Sequence, residues 1–195
     1  RSGAFGDTTA LPTFEKVVDT IGLQQGTELI VGSTTRMNGC FATDMWGTNT
    51  ADMDVRALLH GHSTVANVAS RGLAFDPVVV RDVVAVDNAD GSRTYTFTIS
   101  TRLKYNNGAR ITAQDYVFSL LLQGAPQIGE LGGTPRGMDY LMGFAAYNTA
   151  RTRTLSGVRL ISDSSFSLRV RSEYRPYFYG LALLNVLPYP ITVIA

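Results

Sequence analysis

The chain has 195 residues, of which 45% are hydrophobic and 17% charged, with a formal net charge of +1. A domain of this length buries roughly 70% of its unfolded surface, and the length also suits one domain plus a piece of another. The charge excludes a polybasic nucleic-acid binder, which needs concentrated Lys and Arg, and an acidic disordered tail.

In chain order, residues 1–27 read as a leader or N-terminal segment. Residues 2–10 are small and polar, without a signal peptide's apolar core. Phe14, Val17, Val18 and Ile21 then fall on one helical face over residues 13–21, and Gly22 ends it. Residues 28–32 form a short apolar run, predicted as a buried strand. From 32 to 54 the chain is rich in Gly, Thr, Asn and Asp, and carries Met37, Phe41, Met45, Trp46 and Met53. That is loop chemistry bearing large apolar side chains, as in loops that lie across a cleft. Met37-Asn38-Gly39-Cys40 has the outline of a lipoprotein cleavage box. Gln24, Gln25, Thr27 and Glu28 occupy the place of the apolar core such a box requires, so that reading is rejected.

Residues 55–60 suggest a helix containing Leu58 and Leu59. Residues 78–86 are dense in β-branched side chains and predict a strand. After the turn at 87–91, residues 94–99 alternate strictly, with Tyr95, Phe97 and Ile99 on one face, which makes a hairpin. Asn106-Asn107-Gly108 marks a tight turn. Thr112 and Asp115 signal a helix start. Tyr116, Val117, Leu120 and Leu121 form its apolar face, and Gly124 and Pro126 end it. Residues 127–138 read as a Gly-rich loop, 140–147 as a weaker helix, and 158–170 as a second hairpin turning at Asp163-Ser164-Ser165.

From 176 to 195 there is no charged residue. About 20 apolar residues can span a bilayer, but Gly180, Asn185, Pro188 and Pro190 argue for a buried strand or helix segment. An end inside an apolar stretch suggests a fragment. The expected class is α+β with a mostly antiparallel sheet.

Chemistry is sparse. There is no phosphate-cradling Gly-rich loop followed by Lys and Ser or Thr, no Gly-x-Ser-x-Gly elbow, and one cysteine, Cys40. His60 and His62, with Asp52 and Asp54 nearby, have the residue types of a metal site. A solvated helix end or turn explains the histidines more simply. Asp52 and Asp54 also have the outline of an acid–base pair, but helix capping is the reading adopted. Cys40 is read as a semi-buried structural thiol, because both histidines are distant in sequence. Trp46, Tyr105, Tyr140, Tyr174, Tyr177, Phe178 and Tyr179 are assigned to packing, since stacking on nucleic acid would need a basic stripe. No catalytic residue, metal or cofactor is expected.

One longer pattern carries more. Asp90-Gly91, Thr94-Tyr95-Thr96-Phe97, Lys104-Tyr105-Asn106-Asn107-Gly108 and Thr112-Ala113-Gln114-Asp115-Tyr116-Val117-Phe118-Ser119 follow in order. Their order and spacing resemble the signature of extracellular solute-binding protein family 5, the oligopeptide-, dipeptide- and nickel-binding proteins of ABC importers. Residues 157–168 resemble the family's second hairpin, 172–179 its return to the main domain, and 187–191 a strand ending in Pro. At 34–41 the chain departs from the family's usual Leu-Asp-Pro step.

The resemblance implies part of lobe one plus an accessory subdomain of a two-lobed, periplasmic-binding-protein-like α+β fold. The implied layout is a first strand and cleft loop at 28–54, an accessory α+β subdomain at 55–175, and a truncated return to lobe one at 176–195. It implies a non-enzymatic, extracytoplasmic component, membrane-anchored at full length, that captures a peptide or other small solute by lobe closure. The implied partners are an ABC permease and the missing second lobe, and not nucleic acid. The loop after the first strand is the candidate ligand-binding region: Ser33, Thr34, Thr35, Arg36 and Met37, with Trp46 lining the cleft or the lobe junction. Arg36 suits a carboxylate. The alternative is a sensor or interaction ectodomain that reuses the fold without transport.

Overall fold

The computed structural model describes residues 32–195 apart from 42, 44, 48 and 69–71. The helix at 13–21, the strand expected at 28–32 (save Gly32) and the leader at 1–27 lie outside the described residues. The chain divides into two compact units, Arg1–Thr34 and Thr35–Ala195. All elements below belong to the second.

Helix α1 spans Thr50–Leu59, starting five residues before the expected Val55. Asn49 is its N-cap and accepts from the Asp52 N–H at 2.8 Å. A hairpin that the sequence reading missed follows, β1 (Val65–Val68) with β2 (Gly72–Phe75). Strands β3 (Val80–Asp87) and β4 (Arg93–Ile99) form the first expected hairpin, and β5 (Val158–Ser162) and β6 (Ser165–Val170) the second. They join into one antiparallel sheet of order β3-β4-β6-β5. The expected start at Val78 moves to Val80, because Asp76 and Pro77 open a turn in which the Val79 and Val80 N–H groups donate to the Asp76 carbonyl.

The β4–β6 register pairs Phe97 with Phe166 and Tyr95 with Leu168. Helix α2 (Ala113–Gln123) packs on β5 and β6. Its Tyr116 and Leu120 are buried together with Phe97, Ile99, Phe166, Leu168 and Val170. The rings form a continuous column: Phe75 meets Phe97 edge-on at 5.6 Å, Phe97 stacks on Phe166 at 5.1 Å, and Phe166 stacks on Tyr116 at 5.6 Å. Offset and edge contacts of this kind add about 0.5–1.5 kcal/mol each beyond area burial. The other face shows Val84 and Val86 to solvent, as in an antiparallel sheet covered on one side.

The start of α2 also fastens the end of the chain. The Asp115 carboxylate accepts from the Thr112 N–H at 2.8 Å, the Thr112 hydroxyl at 3.2 Å and the Ile191 N–H at 3.3 Å. The 127–138 loop contains one helical turn, α3 (Gln127–Glu130). The helix expected at 140–147 is shorter, α4 (Phe144–Asn148). Gly143, at φ +78°, breaks it, in a conformation open chiefly to glycine.

After a 3-10 turn (Ser172–Tyr177), the uncharged tail folds as two single turns, α5 (Gly180–Leu183) and α6 (Ile191–Ile194). The strand implied at 187–191 does not form. Pro188 and Pro190 have no N–H to give a ladder, and the segment between the two turns is irregular. Thr64 holds it instead: its hydroxyl donates to the Leu184 carbonyl at 2.7 Å and accepts from the Val186 N–H at 2.8 Å. Leu184 and Val186 are buried.

Candidate functional site

The residues singled out for ligand contact are exposed. Ser33 and Thr34 lie at the end of the first compact unit; Thr35, Arg36, Met37 and Trp46 lie in the second. The Arg36 carbonyl accepts from the Asn49 side-chain amide at 2.9 Å, which ties the loop to the α1 cap. The Trp46 indole N–H donates to the Leu131 carbonyl at 3.2 Å, and the Thr134 N–H donates to the Met45 carbonyl at 2.6 Å. Met45 is buried with Ile128 and Tyr189 in a small second apolar cluster. Residues 45–46 thus bridge the loop and the Gly-rich segment after α3.

Two charged side chains of α1 reach into this loop. The fully buried Asp52 carboxylate accepts from the Asn38 N–H at 3.0 Å and the Gly39 N–H at 3.3 Å. Gly39 has φ +85°, which lets two successive N–H groups converge on one oxygen. Arg56, 8% exposed, uses one guanidinium nitrogen to donate to the carbonyls of Cys40, Thr43 and Gly47 at 2.8, 3.2 and 3.4 Å. The expectation that Asp52 caps a helix is therefore corrected. Asn49 caps α1, and Asp52, one turn inside, turns to the loop. Arg56 escaped notice in the sequence; the only signal was an Asp and an Arg four residues apart next to a Gly- and Asn-rich loop.

His60 lies at the C-terminal end of α1, where its N–H donates to the Arg56 carbonyl at 2.8 Å. His62 adopts φ +64°, and its carbonyl accepts from the buried Tyr116 hydroxyl at 2.7 Å. Among the described residues no group of three or more His, Cys, Asp or Glu is placed to hold a metal. Burial holds the Tyr116 phenol well above the ordinary tyrosine range. Burial and the neighbouring Asp115 carboxylate do the same for Tyr105.

Two clefts flank the tail segment at 187–189. One, of about 560 Å³, is lined by Met53, Arg56, Gln123, Arg136 and Asn185 among others. The other, of about 590 Å³, is lined by Leu59, His62, Lys104, Tyr105, Pro188 and Ile194 among others. Neither is lined by Arg36, Met37 or Trp46. Arg56, which bonds the loop backbone, also lines the first of these clefts.

No protein-family model matches the chain. Among curated proteins it is similar to a dipeptide-binding protein of Lactococcus lactis subsp. cremoris (strain MG1363), with 28% identity over 112 residues, 55% of this chain and 19% of that protein. Among solved structures it resembles Listeria monocytogenes OppA bound to peptide, with a TM-score of 0.58 and 15% identity over 76% of this chain and 28% of that one. It also resembles a peptide complex of Haemophilus influenzae OppA, at TM-score 0.54 and 17% identity, covering 77% and 29% of the two chains. The Escherichia coli murein tripeptide-binding protein MppA matches at TM-score 0.55 and 14% identity, covering 76% and 28% of the two chains. The chain thus spans about a fifth of the curated relative and under a third of the solved ones. To the resemblance carried by the ordered motifs from Asp90 to Ser119 these likenesses add a fold shared with part of the OppA and MppA structures and a sequence similarity to part of a dipeptide-binding protein.

Proposed function

We propose that this chain is part of the substrate-binding component of an ABC importer, capturing a small solute, most plainly a peptide, outside the cytoplasmic membrane by closure of two lobes. The observation that carries this is the sequence match to a dipeptide-binding protein together with a fold shared with peptide-bound OppA. Its role is binding, not catalysis. Residues 28–54 supply the first strand and cleft loop, 55–175 the accessory subdomain, and 176–195 the return to lobe one.

Ser33, Thr34, Thr35, Arg36, Met37 and Trp46 are the proposed solute contacts. The Arg36 guanidinium suits a peptide carboxylate, and Met37 and Trp46 give adaptable apolar surface. The full-length protein is anchored at the outer face of the membrane and delivers solute to a permease. Among the described residues no helix is long and apolar enough to cross a membrane. One lobe encloses only part of a ligand, so the 195-residue chain binds more weakly than the two-lobed protein.

The test is to express the product of the complete reading frame, denature it after purification, and identify released small molecules by mass spectrometry. Released peptides are the expected result, together with a thermal shift when peptide pools are added. A product that releases nothing and shows no shift overturns the reading.

A further inference from the structure

Charges are rarely buried unless fully hydrogen-bonded, because desolvation costs several kcal/mol per ion. Asp52 and Arg56 are two such charges, one turn apart on the same face of α1. Each is directed at the backbone of the loop, the carboxylate at two N–H groups and the guanidinium at three carbonyls. Together they reach backbone from Asn38 to Gly47, and Trp46 lies within that span.

We propose that Asp52 and Arg56 are positioning residues that hold the loop from Asn38 to Gly47 in its ligand-ready conformation before solute arrives. This rests on the reading that the loop faces solute. Neither side chain need touch the ligand. Their effect is preorganisation, which removes an ordering cost from binding. Charge-assisted bonds to backbone suit that role, since they do not depend on which side chains the loop carries.

Trp46 is the only tryptophan and Cys40 the only cysteine, so the chain carries two reporters inside the clamped span. In ligand-free Arg56→Gln protein, Trp46 emission is expected to shift to longer wavelength, and Cys40 to react faster with a thiol reagent. The far-UV circular dichroism should be kept. Arg56→Lys retains the charge and donors and is expected to recover part of both signals. Asp52→Asn, a milder change, serves if Arg56→Gln fails to fold.

Peptide affinity of the variant chain should fall about tenfold. The loss should lie in the association rate, because the competent loop is only fractionally populated. Loss of a direct contact would instead raise the dissociation rate. Unchanged Trp46 and Cys40 signals in Arg56→Gln and Asp52→Asn overturn the clamp. Loosened signals with unchanged peptide affinity overturn its role in binding. A wild-type chain and a full-length product that bind no peptide overturn the functional reading and the ligand role with it, while Trp46 still decides whether the two side chains set the loop.

Discussion

Phe97, Phe166 and Tyr116 join the sheet to α2 through stacked rings at 5.1 and 5.6 Å. The loop beside α1 is held by an aspartate and an arginine that bond its backbone. The first arrangement derives its strength from apolar area and is indifferent to the detail of its neighbours' polar atoms. The second derives its strength from direction: every bond has one partner and one geometry. A protein that must keep a stable frame and also present an irregular surface needs both. The division predicts that damage to the rings lowers global stability, whereas damage to the clamp changes local order.

The largest expected effect is therefore in the ring column. Phe166→Ala removes the ring at the centre of the stack, where Phe166 is fully buried. It should cost about 3–5 kcal/mol and lower the melting temperature by roughly 6–20 °C, measured by thermal and urea denaturation. Phe166→Leu, which keeps much of the volume, should cost clearly less. If Phe166→Ala costs no more than Arg56→Gln in global stability, the contrast between the two regions fails.

Asp115→Asn probes a place where the two kinds of support meet. The carboxylate ends α2's first turn and also accepts from Ile191 in the tail. The loss should be about 1–2 kcal/mol, with amide exchange rising at Thr112 and Ile191 together. Faster exchange at Thr112 alone would show that the tail is held by its apolar contacts instead.

The same contrast explains what could be read in the sequence. The hairpin of β3 and β4, the hairpin of β5 and β6, and the start of α2 were legible because burial imprints a period of two or 3.6 on side-chain type. Phe97 and Ile99 are buried as their alternation required. The hairpin of β1 and β2 was missed: its strands have four residues each, too short for alternation to stand out. The strand at 187–191 was expected from the resemblance, and it fails because Pro188 and Pro190, both visible in the sequence, cannot donate to a ladder. The roles of Asp52 and Arg56 left almost no trace, since a side chain that bonds distant backbone needs no complementary residue type at its partner. Arg36, Met37 and Trp46 are proposed on residue type and place in the chain.

A smaller effect separates the buried phenols from the surface. Tyr116, held above the ordinary value of 10 mainly by burial, and Tyr105, held up by burial and Asp115, must stay protonated in the fold. Their contribution is fully present below about pH 10 and is lost as pH rises through the higher folded values, because the unfolded chain gives up these protons first. Stability should therefore fall on the alkaline side of pH 10. Phenylalanine at 105 should reduce that fall, measured as urea midpoints across pH 9–11. An unaltered alkaline limb in Tyr105→Phe would assign the effect to Tyr116.

The smallest effect is expected in the ion pairs at the β3–β4 turn. Asp87 is held below its ordinary value by its hydrogen bond to Arg93 and by the Arg175 charge, and Asp90 by hydrogen bonds from Ser92 and by Arg169. Both folded values lie below 3.8, so the stabilisation is present above that pH and fades as pH falls through the folded values, where the unfolded chain binds protons first. These groups are exposed, and solvent screens them. Asp87→Asn should shift the melting temperature at neutral pH by about one degree or less, and 1 M salt should remove most of that shift. A larger, salt-resistant loss would mean that the turn is clamped as the loop at Asp52 is, by directed bonds: Arg175 also donates to the Gly91 carbonyl at 3.0 Å. Arg175→Gln removes the bond to Gly91 along with the Arg175–Asp87 pair and leaves Asp87 paired with Arg93, so the salt-resistant part of its loss belongs to the Gly91 bond.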